Sequence, residues 1–132
     1  KIGAHLDVSQ GPWTAGVAMP GGDFEVTGVE NLVRDLRTSY TFLDDRWARR
    51  LVRGYGTEAR DILESATSEA DLGQNFGASL TAKEVDWLMD KEFACTAQDV
   101  LWRRSKLGLR ATDEASLETY MASRRAHTKD IA

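Results

Sequence analysis

The chain has one cysteine, two histidines and two prolines among its 132 residues, and each shortage removes a class of function. Cys95 has no partner for an internal disulfide, and a reducing compartment suits it. His5, His127 and Cys95 lie far apart with no ligand-spaced neighbours, so no metal site is expected. No apolar run approaches the ~20 residues that a membrane-spanning helix requires. Basic residues are outnumbered, 17 Lys and Arg against 21 Asp and Glu, and the net charge of −4 argues against a polyanion as main partner. There is no GxSxG, no HExxH, no Walker loop and no Ser/His/Asp set that spacing would bring together. No catalytic, cofactor-binding or metal-binding residue is therefore assigned.

What is present is helical instruction, and it is densest from Thr81 to Arg110. Thr81 followed by Glu84 is a capping-box pattern, and Val85, Leu88, Met89 and Phe93 then recur as one buried stripe. Thr96 with Asp99 repeats the start signal, Ala97, Val100 and Leu101 repeat the stripe, and Gly108 offers a left-handed stop. The spacing predicts an αα-hairpin whose second helix runs from about Ala97 to Leu107. At ~100° per residue Glu92 falls inside the first stripe and Arg104 inside the second. An unpaired buried charge is costly, so the two are expected to form a structural ion pair, with Asp71 as second choice for Arg104. The alternative is that the Arg104 stem snorkels and its head stays in water.

The rest of the chain surrounds the hairpin. Residues 1–28 hold both prolines and many glycines, and read as an extended connector that lays Trp13 and Phe24 on the body, with short strand pairing around Val17 and Phe24 to Val26 as an option. Helices are expected from Val29 to Tyr40, after Asp44 or Asp45, after Thr57, and after Thr112. Leu72 and Phe76 are pegs in an ordered loop over 65–78. The predicted fold is all-α, about six helices around the hairpin, with Trp47, Ile62, Leu72, Phe76, Val85, Leu88, Met89, Phe93, Val100 and Leu101 in the core. Arg46, Arg49, Arg50 and Arg53 are read as a solvated face in preference to an anion-binding surface. Gly54 to Ala59 matches GxGxxA, but a charged helical segment precedes it where a dinucleotide fold needs a buried strand. The outline of a helix-turn-helix over 81–107 is also visible, yet its first helix is acidic, which is poor for a phosphate backbone.

The blocks Met19-Pro20-Gly21-Gly22-Asp23-Phe24, Tyr55-Gly56-Thr57, Asp71 to Gly77, Glu92-Phe93 and, above all, Asp99 to Leu109 (DVLWRRSKLGL) resemble the C-terminal domain of FAD-dependent, respiratory glycerol-3-phosphate dehydrogenases. Cys95 stands where a basic residue is expected in many members. The resemblance implies a longer parent that oxidises sn-glycerol 3-phosphate to dihydroxyacetone phosphate with FAD and passes electrons to a quinone. Lys1 in place of an initiating Met agrees with a piece of such a chain. On this reading residues 1–28 are the connector from the flavin domain and 29–132 the helical cap. FAD belongs to the parent and not to this fragment, and no catalytic or FAD-binding residue is carried over. The implied partners are the parent's N-terminal FAD domain and a second copy in a homodimer, with no nucleic acid. The parent is expected in the cytoplasm, peripherally on the inner face of the membrane. The competing readings are a stand-alone helical protein-interaction module and, further off, a helix-turn-helix nucleic-acid binder.

Overall fold

The computed structural model describes residues 11, 14–110 and 112–129, the last two of these by backbone alone. The expectations for residues 1–8 and for Trp13 fall outside the described residues. Five α-helices, α1 (Val29–Ser39), α2 (Asp45–Tyr55), α3 (Ala59–Leu63), α4 (Ala82–Glu92) and α5 (Glu114–Lys129), are joined by short 3₁₀ turns and one π-helical turn, Asp99–Arg104. Among the described residues extended pairing is limited to a single bridge between Asn75 and Thr81, so the fold is all-α. The strand option near Val17 and Phe24 is not taken; a 3₁₀ turn, Thr14–Gly16, and further turns occupy that stretch.

Each helix start has a local cause. The Asp44 carboxylate accepts from the Trp47 amide at 2.7 Å and caps α2. Asp113, one residue after the expected Thr112, caps α5 by accepting from the Ser116 amide and hydroxyl. One continuous core follows. Trp47, Leu51 and Val52 of α2, Ile62 and Leu63 of α3, Val85 and Leu88 of α4, and Leu117 and Met121 of α5 are buried in one cluster, to which the loop adds Leu72 and Phe76. Tyr40, Phe42 and Trp47 stand edge to face along one flank.

Two expected core positions differ. Met89 is only partly buried, and Phe93 is 81% exposed. The stripe stops short of Phe93 because α4 ends at Glu92. Phe93 takes the left-handed conformation (φ 58°), the Ala94 amide closes the helix onto the Leu88 carbonyl at 3.0 Å, and the ring is turned out.

The stretch over residues 14–28 joins the helical body through backbone. The Thr57 amide donates to the Gly21 carbonyl at 3.0 Å, where Gly21 and Gly56 both have positive φ and approach so closely that a Cβ on either would overlap the other's peptide unit or that of Tyr55. Gly54 to Gly56 is therefore the end of α2 and the landing point for the turn at Gly21. Gly56→Ala is expected to destabilise the chain by about 2 kcal/mol, from strain at positive φ and loss of that approach, read as a lower denaturation midpoint.

Candidate functional site

The most consequential charge in the molecule is Glu84, at 1% exposure. As an N-terminal residue of α4 it was expected to fold back on Thr81 in a capping box, yet the Thr81 side chain makes no cap bond and the Glu84 carboxylate points into the body. It accepts two bonds from Arg50 of α2, at 2.6 and 2.7 Å, and one from the Tyr55 hydroxyl at 2.7 Å. Arg50 also donates to the Ser79 hydroxyl (3.0 Å) and carbonyl (2.7 Å). No buried side-chain oxygen or nitrogen among the described residues lacks a partner. Burial, with the Glu84 charge behind it, pushes the Tyr55 phenol far up, so it remains a donor. Burial pulls Arg50 down, but its bonds and attraction to Glu84 outweigh this and leave its pKa raised.

Arg50 thereby holds a strained loop. Ala78 and Ser79 follow Gly77 with φ of 51° and 64°, so two residues with a Cβ occupy the left-handed region, at roughly 1–2 kcal/mol each. The guanidinium on Ser79 supplies the compensating contacts.

Above this floor lies an open cleft of about 780 Å³, lined by Arg46, Arg49, Arg50 and Arg53 of α2, by Ala78 and Ser79, and by Glu92, Arg104, Ser105 and Arg110 of the hairpin. The four arginines of α2 thus divide: Arg50 is the half-buried structural partner of Glu84, Arg49 pairs with Glu30 and Asp45, and Arg46 and Arg53 are exposed on the cleft. The reading of all four as a solvated face holds for the latter two alone.

Glu92 and Arg104 meet at the cleft's edge. The Arg104 guanidinium lies 3.7 Å from the Glu92 carboxylate and donates to the Glu92 carbonyl at 2.8 and 3.1 Å. The expected burial is absent, with each side chain 36% exposed. The cause is the turn from Asp99 to Arg104. The Ser105 amide and hydroxyl both donate to the Val100 carbonyl, five residues back, which makes the turn π-helical. A wider turn advances each residue less than an α-helix does, so Arg104 falls away from Leu101 and onto the rim. The expected helix to Leu107 ends early for the same reason, and the left-handed residue is Lys106, not Gly108. Gly108 instead lies under the Trp102 ring, where a Cβ would come within 2.5 Å. Asp71, the second choice for Arg104, accepts from the Thr67 and Ser68 amides and is unavailable.

The repeated start signal at Thr96 and Asp99 does form. Asp99 accepts from the Cys95 and Thr96 amides and the Thr96 hydroxyl and pairs with Arg103, and Arg103 first, then these bonds, hold its carboxyl far below the usual range. Glu118 of α5 adds a cap from outside by accepting the Ala97 amide at 2.7 Å.

Sequence reasoning missed the Arg50, Tyr55 and Glu84 cluster. A signal existed: Glu84 sits one turn before Leu88 and Arg50 one turn after Trp47, so both flank buried stripes. Among the described residues no group of His, Cys, Asp and Glu could hold a metal ion, and no helix is long and apolar enough to cross a membrane.

Fold and cleft define a small all-α module with a cationic concave face over a buried ion pair. A family model for the C-terminal domain of alpha-glycerophosphate oxidase matches residues 12–122, and the chain belongs to that family of C-terminal domains. It is 42% identical over 117 residues to a glycerol-3-phosphate dehydrogenase of Pseudomonas aeruginosa, covering 87% of this chain and 23% of the relative. To the aerobic glycerol-3-phosphate dehydrogenase of Escherichia coli K12 it is 38% identical over 97 residues, 74% of this chain and 19% of the relative. A D-erythritol 1-phosphate dehydrogenase of Brucella abortus is 32% identical over 103 residues, 78% and 20% of the two chains. The chain spans about a fifth of the length of the relatives it matches.

Two outcomes test this geometry. Glu84→Gln leaves the Arg50 charge without its partner and is expected to cost ~3 kcal/mol or more, whereas Arg104→Ala at the exposed rim is expected to cost ~1 kcal/mol or less. Denaturant titration of both variants checks the ranking, and equal losses would contradict it.

The second outcome concerns acid. Asp71, Asp99, Asp113 and Glu118 all have carboxyls held below their ordinary values, by the Thr67 amide, Arg103, the Ser116 hydroxyl and the Ala97 amide respectively as leading causes. Because the folded pKa values lie below the unfolded ones, the unfolded chain binds more protons in that window. Their stabilisation is present above about pH 4 and is lost as pH falls through the folded values. Denaturation midpoints should drop steeply below about pH 4 and vary little between about pH 6 and 7.

Proposed function

We propose that the chain is the C-terminal accessory domain of an FAD-dependent glycerol-3-phosphate dehydrogenase, and that the domain itself is structural and non-catalytic. The observation that carries this is the match of residues 12–122 to a C-terminal domain family, joined by relatives named as glycerol-3-phosphate dehydrogenases. In the parent, the secondary alcohol of sn-glycerol 3-phosphate is oxidised to the ketone of dihydroxyacetone phosphate. Two electrons pass to FAD and then to a quinone, with the parent held peripherally at the inner face of the membrane. The parent's N-terminal FAD domain is the domain's first partner, and residues 1–28 are the connector to it. The relative that acts on D-erythritol 1-phosphate marks the nearest alternative substrate, a longer polyol phosphate.

The described residues support a non-catalytic role. A flavin pyrophosphate needs a strand, a glycine turn and a helix N-terminus, and the one glycine pair of suitable spacing, Gly54 and Gly56, follows α2 and receives the connector. These residues do not fit FAD. The best-defined carboxylate, Glu84, is closed off by Arg50 and Tyr55 and cannot reach a substrate.

The purified chain should therefore be colourless, bind no FAD on titration and show no glycerol 3-phosphate oxidation with a quinone analogue, while the full parent does both. Stoichiometric flavin in the isolated chain, or turnover above a heat-killed control, would overturn the proposal.

A further inference from the structure

We infer that the arginine cleft and the apolar residues beside it form the surface by which this domain docks on the N-terminal body of its own parent, through a carboxylate-bearing projection of that body seated in the cleft. The inference rests on the accessory-domain reading above and specifies its contact. Three observations converge on this face.

The first is charge. In a chain of net charge −4, six arginines and three acidic side chains line the cleft. Asp45 is engaged by Arg49, Glu92 by Arg104, and Asp44 caps α2. The side chains of Arg46, Arg53 and Arg110 make no hydrogen bond or ion pair among the described residues. Three such guanidinium groups on residues lining one concavity suit planar, bidentate carboxylates.

The second is apolar exposure next to the cleft. Trp102 is 43% exposed and lies on Gly108, Leu109 is 77% exposed, and Phe93 follows the Glu92 carbonyl that Arg104 grips. In the chain Phe93 adjoins Glu92, Trp102 precedes Arg104 by two residues and Leu109 adjoins Arg110, so each neighbours a residue that lines the cleft. Exposed aromatic and aliphatic residues beside arginine match the composition of protein interfaces.

The third is the path of the chain. The connector lands at Tyr55 to Thr57 through Gly21, and Gly54 and Tyr55 line the cleft. Whatever precedes the connector is tethered beside this face, and the chain spans about a fifth of its relatives' length, so that body is large. A covalent tether makes docking intramolecular and raises the effective concentration, so a modest interface suffices. A concave site fits a protein projection better than a flat lipid surface.

Hydrogen exchange on the full-length parent tests this. Residues 102–110 should exchange about tenfold or more slowly in the parent than in the 132-residue chain, as ~1.4 kcal/mol of docking free energy would give. Arg46→Glu with Arg110→Glu in the parent should erase that protection, while Lys91→Glu, exposed outside the cleft, should not. The double variant in the 132-residue chain should melt as the unsubstituted chain does, because both arginines are exposed. Equal exchange in parent and chain overturns the inference, as does protection that survives the double reversal. Protection that appears only on adding anionic phospholipid vesicles also overturns it and assigns the face to the membrane. A parent that turns over glycerol 3-phosphate with flavin but shows no protection refutes the docking alone; a protected parent without flavin turnover refutes the functional reading alone.

Discussion

The pairing of Glu84 with Arg50 is the constraint on which the rest of the domain depends. Two residues 34 positions apart in the chain are locked by a fork of 2.6 and 2.7 Å bonds, and the Tyr55 hydroxyl adds a third donor to Glu84 Oε1. A carboxylate at 1% exposure tolerates few alternatives, since any shift of α4 along α2 would strand it without donors. Burying such a pair adds less net stability than its short distances suggest, because both ions give up hydration. Its effect is geometric: it sets the register of α2 against α4, and through Ser79 it holds a left-handed pair of residues that isolated peptides avoid.

That geometry reaches the surface. The Arg50 guanidinium is at once the partner of Glu84 and part of the floor of the cleft, so the same bonds that align two helices place the cationic face. The hairpin forms the opposite wall, where a π-helical turn moves Arg104 out of the core to the Glu92 carbonyl. Alpha5 closes the back of the hairpin through Glu118 on Ala97 and through Tyr120 and Arg124 on Asp86. The domain is rigid where it is packed and charged where it is concave, which suits a part that presents a fixed surface to a larger protein.

Much of the fold was legible because helices announce themselves locally. Val33, Leu36, Trp47, Leu51, Val85, Leu88, Val100 and Leu101 recur at the helical period and are buried. Asp44, Asp99 and Leu72 with Phe76 act where short-range rules place them. The family resemblance was equally legible, since it rests on blocks of adjacent residues, the longest being Asp99 to Leu109. Errors of reach were of another kind. Thr81 and Glu84 satisfy a capping rule that the chain does not use, because a bond to Arg50 inside the core is worth more to a buried carboxylate than an exposed cap.

The sequence by itself determined the helices, the identity of most core side chains and the family, since each depends on residues within one or two turns of one another. Only the tertiary structure decided which charges are buried. Glu84 and Arg50 look as hydrophilic in the sequence as Glu92 and Arg104, and the two pairs exchange their expected places because burial depends on what a distant helix brings opposite. It likewise decided that the arginines of α2, the strained Ser79 and the π-helical turn share one cleft, because a concave surface belongs to elements far apart in the chain and to no one of them alone.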